Sequence, residues 1–251
     1  MDREDTGVLG SLSNFLARKG RRAWPLTVAE KTAVTPRMTR IRFSGSDIAE
    51  LEWKRGQDLV LEVPDRGGIA RRHYTIRNFD RAAQTLDIDF VLHGDSPAGR
   101  WLAKAEAGAP LTAVGPRGHT YLREADWHLF IGDETGIPGI FAMLEGLPAG
   151  ARAQAIIEVG NDEDRVALHC AAHVVLEWVS RDGAAAGPGK RLYDKVERFA
   201  FPAGQGQAYV IGETSNVRAI RHRLIERGLA KTQIVAEGYW RPGRVGGHDH
   251  V

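Results

Sequence analysis

Arg71-Arg72-His73-Tyr74-Thr75-Ile76-Arg77 ends what reads as a β-strand about a third of the way along a 251-residue chain. The heptad puts guanidinium groups, a flat phenol ring and a hydroxyl within a few residues of one another. Arginine clamps a phosphate through two parallel charge-assisted hydrogen bonds. A tyrosine ring stacks on a flat ligand, and a threonine hydroxyl or amide hydrogen-bonds a ring nitrogen. The set suits a ligand aromatic at one end and phosphorylated at the other, and a flavin dinucleotide fits that description. The same residues also suit a plain solvated β-face, so the flanking sequence has to decide.

Around the heptad, from Trp24 to about Glu124, the pattern alternates and is β-rich, with turn residues at intervals. Strands are expected near Leu26–Val34, Thr39–Phe43, Asp58–Val63, His73–Asn78, Leu86–Leu92 and Leu111–Val114. A single helix is expected from Pro97 to Ala107, with Trp101, Leu102 and Ala105 on one face and Gly108 ending it. Six short strands and one helix predict a closed or nearly closed antiparallel barrel, because a sheet of this size has to hide its edges. After Asp126 the rhythm changes to strand followed by helix. Strands are expected at Trp127–Ile131, Ala153–Val159, Val174–Val179, Ala208–Ile211 and Ile234–Gly238. Helices are expected at Pro138–Leu147, Leu192–Phe199 and Asn216–Gly228. That alternation implies a parallel sheet covered on both faces. The tract from Gly183 to Gly189 reads as a flexible surface loop. The expected organisation is an extension at 1–23, a barrel domain at 24–124, an α/β domain at 125–243 and a tail at 244–251.

Composition narrows the function. A length of 251 residues favours two domains of about 100 to 130 residues each. A formal net charge of +2 argues against a nucleic-acid partner. No run approaches the ~20 apolar residues that span a bilayer, so a cytoplasmic protein with no membrane partner is expected. Residues 1–23 place Leu9, Leu12, Phe15 and Leu16 at helical spacing before Arg18, Lys19, Arg21 and Arg22, which reads as a short docked helix or a loose terminus. One cysteine, Cys170, excludes an internal disulfide framework and a cysteine-held iron–sulfur cluster. Redox chemistry would therefore come from a bound organic cofactor. His248 and His250 stand in a Gly/His/Asp tail that reads as disordered, and no metal site is expected.

Two further groups of residues bear on ligands. His93-Gly94-Asp95-Ser96-Pro97-Ala98-Gly99-Arg100-Trp101 leads from a strand end into the barrel's helix. Unpaired amides at a helix start bind phosphate, and small residues let the backbone approach it. Taken by themselves, these residues read first as a plain helix start with proline in its first turn. In the second half, Gly132-Asp133-Glu134-Thr135 and Gly212-Glu213 end two strands at the edge where a parallel sheet binds a nucleotide. Asp133, Glu134 and Glu213 put negative charge there, so a nicotinamide site rests on topology more than on local chemistry. Glu158 is a candidate acceptor for a ribose hydroxyl. Tyr239-Trp240-Arg241 reads either as a cap on the flavin or on a large ligand, or as an aromatic pair packed in the core.

With these pieces in order, the sequence resembles the siderophore-interacting proteins, the flavin-dependent ferric-siderophore reductases of the ferredoxin-reductase type. The strings that carry the resemblance are Arg72-x-Tyr74-Thr75-Ile76-Arg77, Leu86 to Gly94, Gly115-Pro116-Arg117-Gly118, Gly132 to Thr135 with Pro138, Gly212-Glu213, and Gly238-Tyr239-Trp240-Arg241. The resemblance covers about residues 24 to 243. It implies a six-stranded FAD-binding barrel followed by a nicotinamide-binding α/β domain. It also implies non-covalent FAD, with Arg72 at the phosphates, Tyr74 flanking the isoalloxazine and Thr75 near its reactive nitrogen. His73, Arg77 and His93 would lie in the same site, and residues 94 to 101 would hold the pyrophosphate. Gly132, Asp133, Glu134, Thr135, Gly212, Glu213 and Trp240 would lie at the nicotinamide and flavin, while Arg117, Tyr239 and Arg241 would face the ferric siderophore. Many relatives carry a lysine where this chain has Asp58, and another where it has Glu237, so a basic pocket for a triply anionic ferric complex is two charges short. Ser96 and Gly99 also stand exchanged relative to the common phosphate-loop pattern.

The implied reaction takes a hydride from NAD(P)H to FAD and delivers single electrons to siderophore-bound Fe(III), with no side chain acting as general acid or base. Ferredoxin as the electron donor, and a non-enzymatic iron-chelate carrier, are the competing readings. A monomer is expected.

Overall fold

A computed structural model describes residues 22–92 and 94–244, with the backbone of 249–250. The helix expected in residues 1–23 lies outside the described residues, as do His93 and His248. Alternation of apolar and polar residues builds the first sheet from β1 (Ala23–Thr35), β2 (Met38–Ser44), β3 (Asp58–Asp65), β4 (Gly68–Thr75), β5 (Asn78–Asp80), β6 (Thr85–Val91) and β7 (Pro110–Arg117). Seven strands stand where six were expected, because the segment expected as His73–Asn78 is divided. β4 is one end of the sheet and β5 the other, in the order β4-β3-β7-β1-β2-β6-β5. Ile76 and Arg77 carry the chain from one edge to the other, with Ile76 N donating to Gln57 O and Arg77 N donating to Asp87 O. The sheet thus rolls until its two edges are consecutive in sequence, while β4 keeps one side with no partner strand among the described residues.

Inside the roll lie Leu59, Leu61, Phe43, Ile88 and Phe90. α1 (Pro97–Lys104) adds Trp101, whose ring stacks with Phe43 at 6.3 Å and lies 5.8 Å from Phe90. The helix stops at Lys104 and not at Ala107, and Lys31 Nζ takes up the carbonyl of Leu102 at 2.6 Å. On the outside of the roll, Arg40 and Arg42 of β2 face Asp89 and Asp87 of β6 and form two bidentate pairs.

The second sheet contains β8 (Trp127–Asp133), β9 (Arg152–Val159), β10 (His173–Ser180), β11 (Gly206–Glu213) and β12 (Ile234–Trp240), all parallel, in the order β10-β9-β8-β11-β12. β13 (Asp249–His250) adds an antiparallel strand against Glu237 and Gly238. The expected loose tail therefore supplies backbone partners for an edge that β12 would otherwise leave open. α3 (Arg191–Arg198) and α4 (Thr214–Glu226) cover one face around Leu192, Val196, Val217 and Ile220.

α2 (Ile137–Leu144) covers the other face, and all eight of its residues are buried. A helix apolar on every side is sandwiched, and here the second layer is the barrel. Met38 of β2 joins Ile140, Phe141 and Met143 in one apolar cluster. Arg55 Nη1 donates to Ala142 O at 3.3 Å, and Thr75 abuts Gly139. Arg77 makes a bidentate pair with Glu145 just past the helix, at 2.6 Å for both bonds. The guanidinium is 9% exposed and the carboxylate 21%. Removing one partner of such a pair leaves the other charge buried and alone. Arg77→Ala is accordingly expected to lower unfolding stability by about 3 kcal/mol in a denaturant titration.

Candidate functional site

β4 carries the expected ligand groups on both of its faces. Arg72 lies opposite Leu61 and Tyr74 opposite Leu59, so both turn toward the barrel side. The Tyr74 ring packs 4.4 Å from that of Phe90, and burial raises the phenol pKa well above its ordinary value. Arg72 donates to the carbonyl of Arg71 at 2.8 Å and makes no ion pair among the described residues. Thr75 and His73 take the opposite face, toward the α/β layer. Thr75 Oγ1 lies 3.4 Å from the Tyr239 hydroxyl, and His73 Nδ1 lies 2.6 Å from Asp58 Oδ2. The free edge of β4 runs between these two groups.

Several residues expected at the cofactor have other work. Arg77 is committed to Glu145, as described above. Arg100 forms a bidentate pair with Asp65 at 2.8 and 2.9 Å and also bonds Asp95, so its charge is neutralised within the barrel. Trp101, with Pro97 and Ala98, is buried against the barrel core. Ser96 caps α1, its Oγ accepting from Gly99 N at 3.0 Å. Proline has no amide hydrogen. The free donor in the first turn is therefore Ala98 N, and the phosphate reading contracts to the loop Gly94–Ser96 and this amide.

At the carboxyl edge of the second sheet, Asp133 is a hub. Its Oδ1 accepts from Thr135 N at 2.9 Å and from the Thr135 hydroxyl. Its Oδ2 accepts from Glu213 N at 2.8 Å and from Trp240 Nε1 at 2.9 Å. Burial, and then the neighbouring Glu134 charge, push its pKa up, against the donors that pull it down. The carboxylate thus ties together the ends of β8, β11 and β12. Gly212 serves the hub: at φ +146° a Cβ would meet Asp133 Oδ2 at 2.6 Å, a conformation and a space that only glycine fits. Gly132 is likewise confined, by Ile211 O. Glu213 is 2% exposed and caps α4 by accepting from Asn216 N at 2.8 Å.

Next to the hub, a cleft of about 390 Å³ lies between the two layers, its walls including Arg37, Val91 and Leu92 from the first and Thr135, Ala184 and Trp240 from the second. Glu134 reaches this cleft already paired with Arg181 at 2.8 Å. Arg181, 5% exposed, also holds Glu158 at 3.3 Å. Glu158 is therefore turned inward and is no free acceptor for a ribose, and burial raises its pKa. The tract 183–189, expected to be flexible, is tied down: Arg181 Nε donates to Ala184 O, and Asn216 bonds both Gly187 O and Gly189 N. Sequence reading missed Arg37, Glu145 and Arg181, since each acts through partners far away in the chain, Asp164 for Arg37, Arg77 for Glu145, and Glu134 and Glu158 for Arg181.

The outer end of β3, β4 and β7 forms a third wall. Arg117 pairs in register with Asp58 across β3 and β7 and makes no ion pair among the described residues. Glu237, 7% exposed, accepts from Thr120 Oγ1 at 2.8 Å. Tyr239 stands beside them, its phenol pKa raised by burial first and then by Asp58, Glu237 and Asp133. Arg241 is exposed at the end of β12.

A rolled antiparallel sheet joined to a parallel α/β sheet is the fold of ferredoxin-reductase-type flavoproteins. A ferredoxin reductase of carbazole 1,9a-dioxygenase superposes with a TM-score of 0.73 over 88% of this chain and 70% of its own, at 17% identity. The chain belongs to the siderophore-interacting proteins. Residues 55–120 match the siderophore-interacting FAD-binding domain, and residues 125–243 match the siderophore-interacting protein domain. Ferric vibriobactin reductase ViuB of Vibrio cholerae is 31% identical, over 91% of this chain and 94% of that protein. A siderophore utilization protein from T. fusca superposes with a TM-score of 0.83 at 34% identity, covering 92% of this chain and 96% of the other. Among the described residues no helix is long and apolar enough to cross a membrane, and no cluster of three or more His, Cys, Asp or Glu suits a metal ion.

Proposed function

We propose that this protein is an FAD-dependent reductase of ferric siderophores, using NAD(P)H as hydride donor. The observation that carries the reading is the free edge of β4. An arginine with no acidic partner among the described residues and a phenol lie on one face of that strand, and a threonine on the other, where the two layers meet. Those residues fit non-covalent FAD. Arg72 would hold a phosphate, Tyr74 would flank the ring system, Thr75 would offer its hydroxyl, and Gly94–Ser96 with Ala98 N would meet the pyrophosphate. When bound, the flavin converts a two-electron donor into one-electron deliveries.

What the protein adds is placement and exclusion of water. The cleft lined by Thr135 and Trp240 is where the nicotinamide would enter, and the fixed Trp240 indole gives that cleft an apolar wall. The substrate is ferric iron in its chelate. Hard oxygen ligands hold ferric iron far more strongly than ferrous iron, so reduction releases it. The name of the Vibrio relative supports this substrate class. Asp133 and Glu134, the acidic pair at the end of β8 that a ferredoxin donor would bear on, are taken up by Trp240, Thr135 and Arg181. We place the protein in the cytoplasm, where NAD(P)H is available, as a monomer.

The deciding experiment is anaerobic mixing of the FAD-loaded protein with NADH and with NADPH. Loss of flavin absorbance with at least one of them, followed by its return on adding a ferric siderophore, is the expected result. Absence of bleaching with both would remove the nicotinamide donor from the reading. Failure to take up FAD would remove the reductase itself.

A further inference from the structure

The cleft of about 390 Å³ between the two layers has the size of a small-molecule site, and the cations in its wall are already spoken for. Among the described residues these cations are Arg37 and Arg181. Arg181 is buried, and each of its three nitrogens is engaged: Nε with Ala184 O, Nη1 with Glu134 and Glu158, and Nη2 with Glu134. Arg37 belongs to Asp164, to which it donates from Nε at 3.1 Å and from Nη2. Asp164 is 4% exposed, and its Oδ1 has no hydrogen-bond partner. Drawing Arg37 away would strand a buried carboxylate already short of donors, and an uncompensated buried charge is costly. Gly160 lets this pair sit against the cleft wall, since a Cβ there would meet Arg37 Nη2 at 2.6 Å and Asp164 Oδ2 at 2.8 Å. Arg191, whose charge reaches Glu158 from the start of α3, is exposed and is not part of the lining.

In a doubly wound sheet the end of the second strand meets the adenosine ribose, and the groups there decide between a 2′-hydroxyl and a 2′-phosphate. β9 is the second strand of this sheet, and Gly160 follows it directly. A phosphomonoester carries about −1.5 to −2 charge at pH 7. Here it would have to share guanidiniums already matched to carboxylates, and those carboxylates would repel it. A hydroxyl is neutral and needs only an acceptor. Glu134 lines the cleft and accepts two bonds from Arg181, where a carboxylate offers about four lone-pair sites, so acceptor capacity remains. From these contacts, and resting on the reading of a nicotinamide donor, we infer that the cleft selects NADH over NADPH. Glu134 and Asp164 are its specificity-determining residues: both withhold an arginine from the phosphate, and Glu134 also accepts from the hydroxyl.

The test is calorimetric titration of the FAD-loaded full chain with NAD+ and with NADP+, which carry no hydride to give and so report binding without flavin reduction. The expected result is binding of NAD+ roughly tenfold tighter or better. Raising the salt concentration should narrow the ratio of the two affinities, because screening weakens a repulsion. Asp164→Asn releases Arg37 and Glu134→Gln releases Arg181, and each should move the ratio about tenfold toward NADP+. Equal or tighter binding of NADP+, a ratio that widens with salt, binding of neither nucleotide, or an unmoved ratio in both folded variants would overturn the inference. So would a loss of NADP+ affinity alone in Arg191→Ala, which would make that exposed guanidinium the phosphate holder. The wild-type ratio and its salt series need no variant, so they decide even if both substitutions fail to fold. NAD+-selective binding by a protein whose FAD neither NADH nor NADPH bleaches would keep the inference and discard the reductase, whereas bleaching by NADPH alone would do the reverse.

Discussion

Asp133→Ala is expected to lower the unfolding free energy by about 4 kcal/mol. The carboxylate accepts from Thr135 N, the Thr135 hydroxyl, Glu213 N and Trp240 Nε1. A buried donor left without a partner costs about 1 to 3 kcal/mol. Four of them would exceed the figure given, but removing a desolvated charge offsets part of the loss, and water can enter the space. The damage is also directional, because three strand ends lose their common tie. Trp240→Phe removes one of the four bonds and should cost only about 1 kcal/mol. Urea titrations of the two variants check both values. A loss under 1 kcal/mol for Asp133→Ala would show that the hub is not the tie described here.

Arg72→Ala should weaken FAD binding roughly a hundredfold. A guanidinium contributes charge-assisted hydrogen bonds to phosphate worth about 1.5 to 3 kcal/mol each. Two bonds, discounted for the residue's partial exposure, come to about 3 kcal/mol, and each 1.4 kcal/mol is a factor of ten. Arg72 makes no ion pair among the described residues, so little of the native structure depends on it. Titration of the flavin-free protein with FAD, followed by flavin fluorescence, gives the two dissociation constants. A change under threefold would take Arg72 out of the site. Arg117→Ala is the control, and it should leave FAD binding near the wild-type value, since Arg117 stands on the other face of the sheet end, beside Asp58.

Where a property of the fold was local, the sequence displayed it. Alternation marked the strands because one face of each is buried. Strand-then-helix rhythm marked the parallel sheet because each crossover has to cover it. The division of His73–Asn78 into β4 and β5 was not visible, because it depends on which distant strand each half meets. Arg77 shows the same limit from the side-chain end. Beside a tyrosine and a threonine it reads as a ligand residue, yet its partner Glu145 lies 68 positions away. Arg100 and Trp101 follow a loop rich in small residues, and nothing in that loop discloses Asp65 or the core rings that claim them. Gly132 and Gly212 were recognised as special positions, and what confines them lies across the sheet, Ile211 O for Gly132 and the Asp133 carboxylate for Gly212.

The unpartnered edge of β4 has a consequence for the flavin-free chain. A row of backbone donors and acceptors without a neighbouring strand is a template for intermolecular pairing, and natural sheets guard such rows with charge. Arg72, which makes no ion pair among the described residues, stands on that row, so the same guanidinium that suits a dinucleotide also discourages a second molecule from zipping onto it. Colloidal behaviour and cofactor capture are thereby coupled through one strand: occupancy covers the row, and loss of the cofactor leaves like-charge repulsion between neighbouring molecules as its remaining guard.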